Sequence, residues 1–157
     1  MKRKVNILVN MLQEKKLTLA LAESVTAGLA AYSLTTVKGV TNVFMGSIAC
    51  YHPSVKTCLL KVSERDIARH SPESHQVTKA LVKGLSRLVE ADLYAAVTGL
   101  ASDGGSETSA KPVGTIFLCV LYKGRFYRDK MLFRGSPLQI KKKACEALFK
   151  KLIEVVS

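Results

Sequence analysis

The stretch LTLALAESVTAGLAAYSLT, residues 17–35, contains the clearest pattern for predicting the fold. Its first part, LTLALAE, is a continuous apolar run that is short for a helix and suited to a strand covered on both faces, as in a parallel sheet. The part after it begins with polar and small residues and then spaces Leu29, Tyr32 and Leu34 as on a helix. We therefore predict a buried strand followed directly by a helix, with Ser24 at the turn between them.

The segments on either side continue this alternation of strands and helices. Helical spacing of apolar residues predicts three more helices, over residues 3–16, 74–90 and 136–156. Apolar runs predict strands over residues 43–51 and 93–98, and the runs VGTIFLCVLY and RFYRDKMLF flank Lys123 and Gly124 as in a tight hairpin. The pattern predicts one domain over residues 1–157 with an α/β fold. We expect a three-layer α/β/α sandwich with a mixed, mostly parallel sheet of about five strands.

Composition narrows the class of partner. Of the 157 residues, 24 are basic and 12 acidic, and the formal charge of +12 favours an anionic partner such as a nucleotide, a nucleic acid or an acidic lipid. Aromatic residues make up only 6% and show no stacking pattern, which argues against nucleic acid. No apolar run approaches the roughly 20 residues that span a bilayer, and no signal peptide is evident. We therefore expect a cytoplasmic protein that does not bind membranes.

Four cysteines show none of the close spacing typical of zinc or dithiol sites. We expect Cys50, Cys58, Cys119 and Cys145 to be reduced and mostly buried. No metal site and no cofactor motif is predicted.

Three polar side chains follow predicted strands and should lie where ligands usually bind in open α/β sheets. These are Ser24, Tyr51 and Thr98. A serine hydroxyl needs a base to act as a nucleophile, and Lys56, five residues after Tyr51 in YHPSVK, could reach it if that segment turns into a helix. The alternative is structural: Ser24 as a helix N-cap, Tyr51 as a strand cap and Lys56 as an exposed helix lysine.

Several segments together resemble the CinA C-terminal-domain family over nearly the whole chain. They are ALAESVTAGLAAYSLT, GSIACYHPSVKTCLL, AAVTGLASDGG and KPVGTIF, in the family's order and spacing. The resemblance implies a three-layer α/β/α sandwich and an amidase that hydrolyses nicotinamide mononucleotide to nicotinate mononucleotide and ammonia. The family's E-S-x-T-G-G, Y-S-N-E-x-K and V-T-G segments place its reactive residues on Ser24, Tyr51, Lys56 and Thr98.

The resemblance implies a role for each of these residues. Ser24 would attack the carboxamide carbon, Lys56 would take its proton with help from Tyr51, and Thr98 would hydrogen-bond within the relay. Backbone N–H groups at Thr26 and Ala27 would stabilise the oxyanion. Independently of the resemblance, we expect Glu23, beside Ser24, to bond a helix start or a neighbouring basic group. Gly104 and Gly105 would let the backbone approach the ribose phosphate. The full set of expected substrate-binding residues is Thr26, Ala27, Gly28, Gly99, Gly104 and Gly105.

The chain departs from the family pattern at four places close to these residues. Ala27 replaces a glycine, His52-Pro53 replaces Ser-Asn, Ser102-Asp103 replaces Gly-Pro, and Gly135-Ser136-Pro137 replaces the segment G-D-R. The last change removes an arginine expected to bind the nucleotide. Lys141, Arg134 or Lys111 are candidates to substitute for it, and His52 is a candidate to orient a water or substrate.

Two other functions remain as hypotheses at this stage. One is a nucleotide-binding or regulatory domain that keeps the fold without efficient turnover. The other is nonspecific binding of nucleic acid driven by the positive charge, which predicts a steep loss of affinity with salt. The sequence does not settle the oligomeric state; a homodimer is a hypothesis, because self-association is common for compact enzymes of this size and C₂ dimers are the commonest form.

Overall fold

The computed structural model describes all residues from Met1 to Ser157. It contains six α-helices, one short 3₁₀ turn and five strands. The helices are α1 (Lys2–Lys15), α2 (Leu29–Thr35), α3 (Pro53–Cys58), α4 (Glu64–His70), α5 (His75–Leu88) and α6 (Pro137–Val156). The strands are β1 (Leu19–Glu23), β2 (Phe44–Ala49), β3 (Leu93–Gly99), β4 (Thr115–Tyr122) and β5 (Arg125–Leu132), and the 3₁₀ turn is Val40–Asn42.

The five strands form one sheet in the order β2-β1-β3-β4-β5. Strands β2, β1 and β3 are parallel, whereas β4 is antiparallel to both β3 and β5. Only β4 therefore runs against the other strands, which confirms the predicted mixed, mostly parallel sheet. The predicted hairpin is also confirmed: Lys123 and Gly124 have φ angles of 48° and 74°, as a two-residue turn between twisted strands requires.

Helices cover both faces of the sheet because its strands are apolar on both sides. Leu19 and Leu21 of β1 belong to a core that includes residues of α1, α2 and α6. Ala20 and Ala22, which point to the other face, belong to a second core that includes four residues of α5. The result is the three-layer α/β/α sandwich expected from the sequence.

Two local features differ from the pattern predicted from the sequence. The helix after Ser24 begins only at Leu29, because residues 25–28 form a turn in which Ala27 and Gly28 have positive φ angles of 50° and 96°. Helix α4 was not predicted, since none of its residues is buried and its sequence carries no apolar stripe.

The cysteines are unpaired, as predicted. Cys50, Cys119 and Cys145 are buried and Cys58 is exposed. Burial raises the pKa of Cys119 to about 11 and that of Cys145 to about 12, so both are protonated thiols at neutral pH. Each helix of the chain is too short or too polar to cross a membrane.

Candidate active site

Ser24 and Lys56 form a hydrogen-bonded pair at the carboxyl end of β1. The Lys56 Nζ lies 3.0 Å from the Ser24 Oγ. Ser24 follows the last residue of β1 and is fixed by a hydrogen bond of 3.0 Å from its N–H to the Val97 carbonyl of β3. Its side chain lines a cleft of about 590 Å³. The nucleophile and the base expected from the sequence are therefore brought together.

Lys56 is a buried lysine and not a surface lysine. Its side chain is 0% exposed, so the alternative of an exposed helix lysine is wrong. Burial lowers the pKa of Lys56 below its ordinary value of 10.5, and the charges of Cys50 and Glu73 oppose this only in part. The other oxygens within reach of Nζ are the carbonyls of Cys50 and Tyr51, at 2.5 and 3.2 Å. A neutral amine can donate its two N–H groups to these carbonyls, which leaves its lone pair for the Ser24 hydroxyl.

The short helix α3 positions Lys56. His52 is the N-cap of this helix, with its Nδ1 accepting from the Ser54 N–H at 3.2 Å, and Pro53 occupies the first turn. These two residues are the chain's departures from the family pattern after Tyr51, and both suit a helix start. The sequence analysis required a helix after Tyr51 for Lys56 to reach Ser24, and α3 is that helix. Nδ1 of His52 serves the cap, so it is not free to orient a substrate.

Glu23 organises the turn that carries Ser24. Its carboxylate is fully buried and accepts five hydrogen bonds between 2.7 and 3.1 Å. The donors are the hydroxyls of Thr26 and Ser47 and the N–H groups of Gly28, Ala30 and Ala31. The prediction that Glu23 bonds a helix start is confirmed. The N-terminus of α2 is thereby filled by this carboxylate, so it is not available to a ligand.

The turn after Ser24 retains two backbone N–H groups without an acceptor in the protein, those of Val25 and Thr26. The N–H of Ala27 donates to the Ser24 carbonyl at 3.1 Å, and that of Gly28 donates to Glu23. Of residues 25–28, only Val25 lines the cleft. The amides left free to bind an oxyanion are therefore those of Val25 and Thr26. The amide of Ala27, which was expected in this role, is engaged, and Val25 was not among the expected residues.

Tyr51 and Thr98 lie close to the pair without hydrogen-bonding to it through their hydroxyls. The Tyr51 side chain is 64% exposed in the cleft, with the Lys141 Nζ 5.6 Å from its ring centroid. The buried Thr98 hydroxyl lies 2.8 Å from that of Thr78, which donates its own proton to the Ser74 carbonyl. Thr98 is therefore the donor to Thr78. Of the hydrogen-bonded relay expected from the sequence, the structure contains only Ser24, Lys56 and the backbone carbonyls of Cys50 and Tyr51.

The cleft has a volume of about 590 Å³ and contains both signs of charge. Its ionisable residues include Glu73 and Asp103, with Lys141 as its one lysine or arginine. Among the candidates to replace the missing arginine, only Lys141 lines this cleft. Lys111 instead donates to the hydroxyls of Ser71 and Ser106, each at 2.5 Å.

Three of the four expected glycines, Gly99, Gly104 and Gly105, line the cleft, with different constraints. A Cβ on Gly99 would lie 2.5 Å from the Thr115 carbonyl, so close strand packing requires glycine there. The N–H groups of Gly104 and Gly105 donate to the Glu107 carboxylate at 2.9 and 2.8 Å. These two amides, which the sequence analysis assigned to phosphate, are occupied by a residue that the sequence analysis did not consider. No cluster of His, Cys, Asp and Glu in the chain could hold a metal ion.

Comparisons with known proteins agree with this architecture. Among curated proteins, the chain is 38% identical over 130 residues to a CinA-like protein of Desulfotalea psychrophila, covering 83% of the chain and 31% of that protein. It is 33% identical over 150 residues to a CinA-like protein of Petrotoga mobilis, covering 95% of the chain and 37% of that protein. The chain thus spans about a third of the length of these relatives.

Solved structures share the fold of this chain. A competence-damaged protein (CinA) superfamily protein from Escherichia coli matches with a TM-score of 0.93 and 25% identity, over 98% of this chain and 89% of that one. A competence/damage inducible protein from Agrobacterium tumefaciens has a TM-score of 0.94 at 23% identity, over 99% of this chain and 95% of that one. The family model of the CinA C-terminal domain matches residues 2–156. The chain therefore belongs to the CinA C-terminal domain family.

Proposed function

We propose that the chain is an amidohydrolase in which Ser24 is the nucleophile and Lys56 the general base. The observation that carries this proposal is the 3.0 Å contact between the Lys56 Nζ and the Ser24 Oγ, made by a lysine that is 0% exposed. Burying a lysine is unfavourable unless its charge is compensated, and the two carbonyls that it contacts are weaker compensation than a carboxylate. A neutral amine beside a serine at the wall of a cleft is the arrangement that serine–lysine hydrolases need.

The reaction can be written with the residues in place. The Ser24 Oγ attacks the amide carbon while its proton moves to the Lys56 amine. The carbonyl oxygen becomes an oxyanion that the N–H groups of Val25 and Thr26 stabilise, each donor contributing about 3 kcal/mol in comparable sites. The C–N bond then breaks, and ammonia leaves with the proton from Lys56. Water, activated by the same amine, hydrolyses the ester on Ser24 to the acid and restores both residues.

Nicotinamide mononucleotide is the substrate that we propose for this centre. The resemblance of the Ser24, Tyr51, Lys56 and Thr98 segments to nicotinamide-nucleotide amidases supports it, as does a cleft of about 590 Å³ beside Ser24, of the size usual for small-molecule sites. The ring of Tyr51 and the ammonium of Lys141 are the groups available to an aromatic, charged ligand at the cleft wall. No metal or cofactor is needed for this acyl transfer.

A second candidate is a domain that binds the nucleotide without hydrolysing it. It is favoured by the separation of the Thr98 hydroxyl from the Ser24–Lys56 pair, since Thr98 is bonded to Thr78 instead. Such a domain would bind nicotinamide mononucleotide and release no ammonia.

The test is ammonia release from nicotinamide mononucleotide by the unmodified chain and by Ser24→Ala. Ser86→Ala is a matched control, because the Ser86 hydroxyl bonds only to the Lys83 carbonyl on the surface of α5. We expect turnover by the unmodified chain and by Ser86→Ala, and loss of at least about 10³-fold in Ser24→Ala. Binding without ammonia release by the unmodified chain would favour the second candidate. Undiminished turnover in Ser24→Ala would exclude the serine mechanism.

A further inference from the structure

The glycine loop beside the active site binds a carboxylate from its own chain. The Gly104 N–H donates to the Glu107 Oε1 at 2.9 Å, and the Gly105 N–H donates to the Glu107 Oε2 at 2.8 Å. Each carboxylate oxygen therefore accepts one hydrogen bond, and the two donors are the N–H groups of consecutive residues. Gly104 has a φ angle of 88°, a left-handed conformation that points successive N–H groups to the same side.

Two converging amides are a binding site for oxyanions in general. Carboxylate, phosphate and sulfate all present pairs of oxygens to such a concavity, and charge strengthens each hydrogen bond. The backbone amides lower the pKa of Glu107 below its ordinary value, with the Gly104 amide the largest cause. The carboxylate is consequently ionised at neutral pH, and it competes with an external anion for the same donors.

The position of this loop makes the competition relevant to a ligand at Ser24. Gly104 and Gly105 line the same cleft as Ser24. Asp103 also lines the cleft and makes no hydrogen bond to these amides, so it contributes charge alone. The nearby Lys111 is engaged by the hydroxyls of Ser71 and Ser106 and does not pair with Glu107. Glu107 is thus held by hydrogen bonds from the amides, and the charge of Lys111 adds a smaller attraction.

We propose that residues 102–107 form an oxyanion-binding loop that Glu107 occupies, so that Glu107 limits how tightly the cleft binds a phosphate monoester. The identity of the phosphorylated ligand rests on the proposed function, whereas the anion site itself does not. A phosphate that enters the loop displaces the carboxylate. Removing the carboxylate frees both amides and favours phosphorylated ligands over their unphosphorylated counterparts.

The experiment compares binding with and without the phosphate group. Dissociation constants for nicotinamide mononucleotide and nicotinamide riboside are measured by calorimetry in Ser24→Ala, alone and combined with Glu107→Ala, Glu107→Gln or Asp103→Asn. We expect Glu107→Ala to bind the mononucleotide about tenfold more tightly, the equivalent of one charge-assisted hydrogen bond. Binding of the riboside should stay unchanged within about twofold. Glu107→Gln, which keeps the size of the side chain, should gain in the same direction.

Two further comparisons test whether charge alone explains the effect and whether the loop site depends on the identity of the substrate. Asp103→Asn removes the same charge from the same loop, and a gain equal to that of Glu107→Ala would overturn the proposal. Inorganic phosphate is titrated in parallel into the otherwise unmodified chain and its Glu107→Ala variant, without any amide present. Tighter phosphate binding by Glu107→Ala supports the loop site even if the amidase proposal fails. Equal phosphate affinity in both proteins would overturn the loop site, whatever the chain does with amides.

Discussion

Replacing Glu23 with glutamine tests whether this buried carboxylate holds the turn that carries Ser24. The carboxylate accepts from Ala31 and Ser47 at one oxygen and from Thr26, Gly28 and Ala30 at the other. Glutamine keeps the shape of the side chain but converts one of these acceptors into a donor. Its best orientation places the new NH₂ group at the first oxygen, where the Ser47 hydroxyl can reverse its role and the Ala31 N–H cannot.

The magnitude follows from this count of donors. An N–H left without an acceptor costs about 1–3 kcal/mol, and the three bonds at the remaining oxygen lose their charge assistance, which adds about 1–2 kcal/mol in all. We therefore expect Glu23→Gln to lower the free energy of unfolding by about 2–5 kcal/mol. Glu23→Ala removes every acceptor and should cost more.

Urea denaturation followed by circular dichroism measures this loss, with Glu90→Gln as the control. Glu90 is exposed and makes no hydrogen bond or salt bridge through its side chain, so its substitution should change stability by less than about 0.5 kcal/mol. A Glu23→Gln variant as stable as the Glu90→Gln variant would refute the assigned role of Glu23. Under conditions where Glu23→Gln is folded, its turnover should also fall, because the amides of Val25 and Thr26 lose their fixed position.

Three further outcomes are expected. Because burial lowers the pKa of Lys56, kcat/KM should rise with pH through an ionisation below the ordinary value of 10.5, and a profile without that ascending limb would contradict a lysine base. Because its pKa is lowered by folding, Lys56 binds fewer protons in the folded than in the unfolded protein. The free energy of unfolding should therefore fall as the pH drops from 10.5 towards the pKa of Lys56 in the folded protein. Urea titrations of the unmodified chain and of Lys56→Met should show that the substitution abolishes this dependence. Ala27 has a φ angle of 50°, so Ala27→Gly should raise stability by up to about 1 kcal/mol, and a lower melting temperature would contradict strain there.

Much of the fold could be predicted because its strands are buried on both faces. The runs around Leu21 and Ala95 are apolar without alternation, which is the pattern of a covered parallel sheet, and the Lys123-Gly124 pair identifies the hairpin. The residues at which helices begin and end were harder to predict. Helix α2 begins as late as Leu29 because its first N–H groups donate hydrogen bonds to Glu23. Helix propensity does not encode that contact.

The site was predictable in its reactive residues and less so in its supporting contacts. Ser24 and Lys56 are far apart in sequence and meet because the carboxyl end of β1 faces α3, a contact that the resemblance implied and spacing alone did not require. Glu107 carries no sequence signal for its role, since an acidic residue two positions after a glycine pair is ordinary in a surface loop. The bond from Thr98 to Thr78 depends on the packing of β3 against α5, which only the folded chain reveals.

The serine mechanism requires that an acyl group is carried on Ser24. Rapid mixing of the chain with nicotinamide mononucleotide, acid quenching and mass spectrometry of the digested protein measure this directly. We predict an increase in mass equal to the nicotinate mononucleotide acyl group, on the peptide that contains Ser24 and formed at the rate of the first ammonia release. An adduct on another residue, or ammonia release at full rate by Ser24→Ala without any adduct, would exclude the serine mechanism.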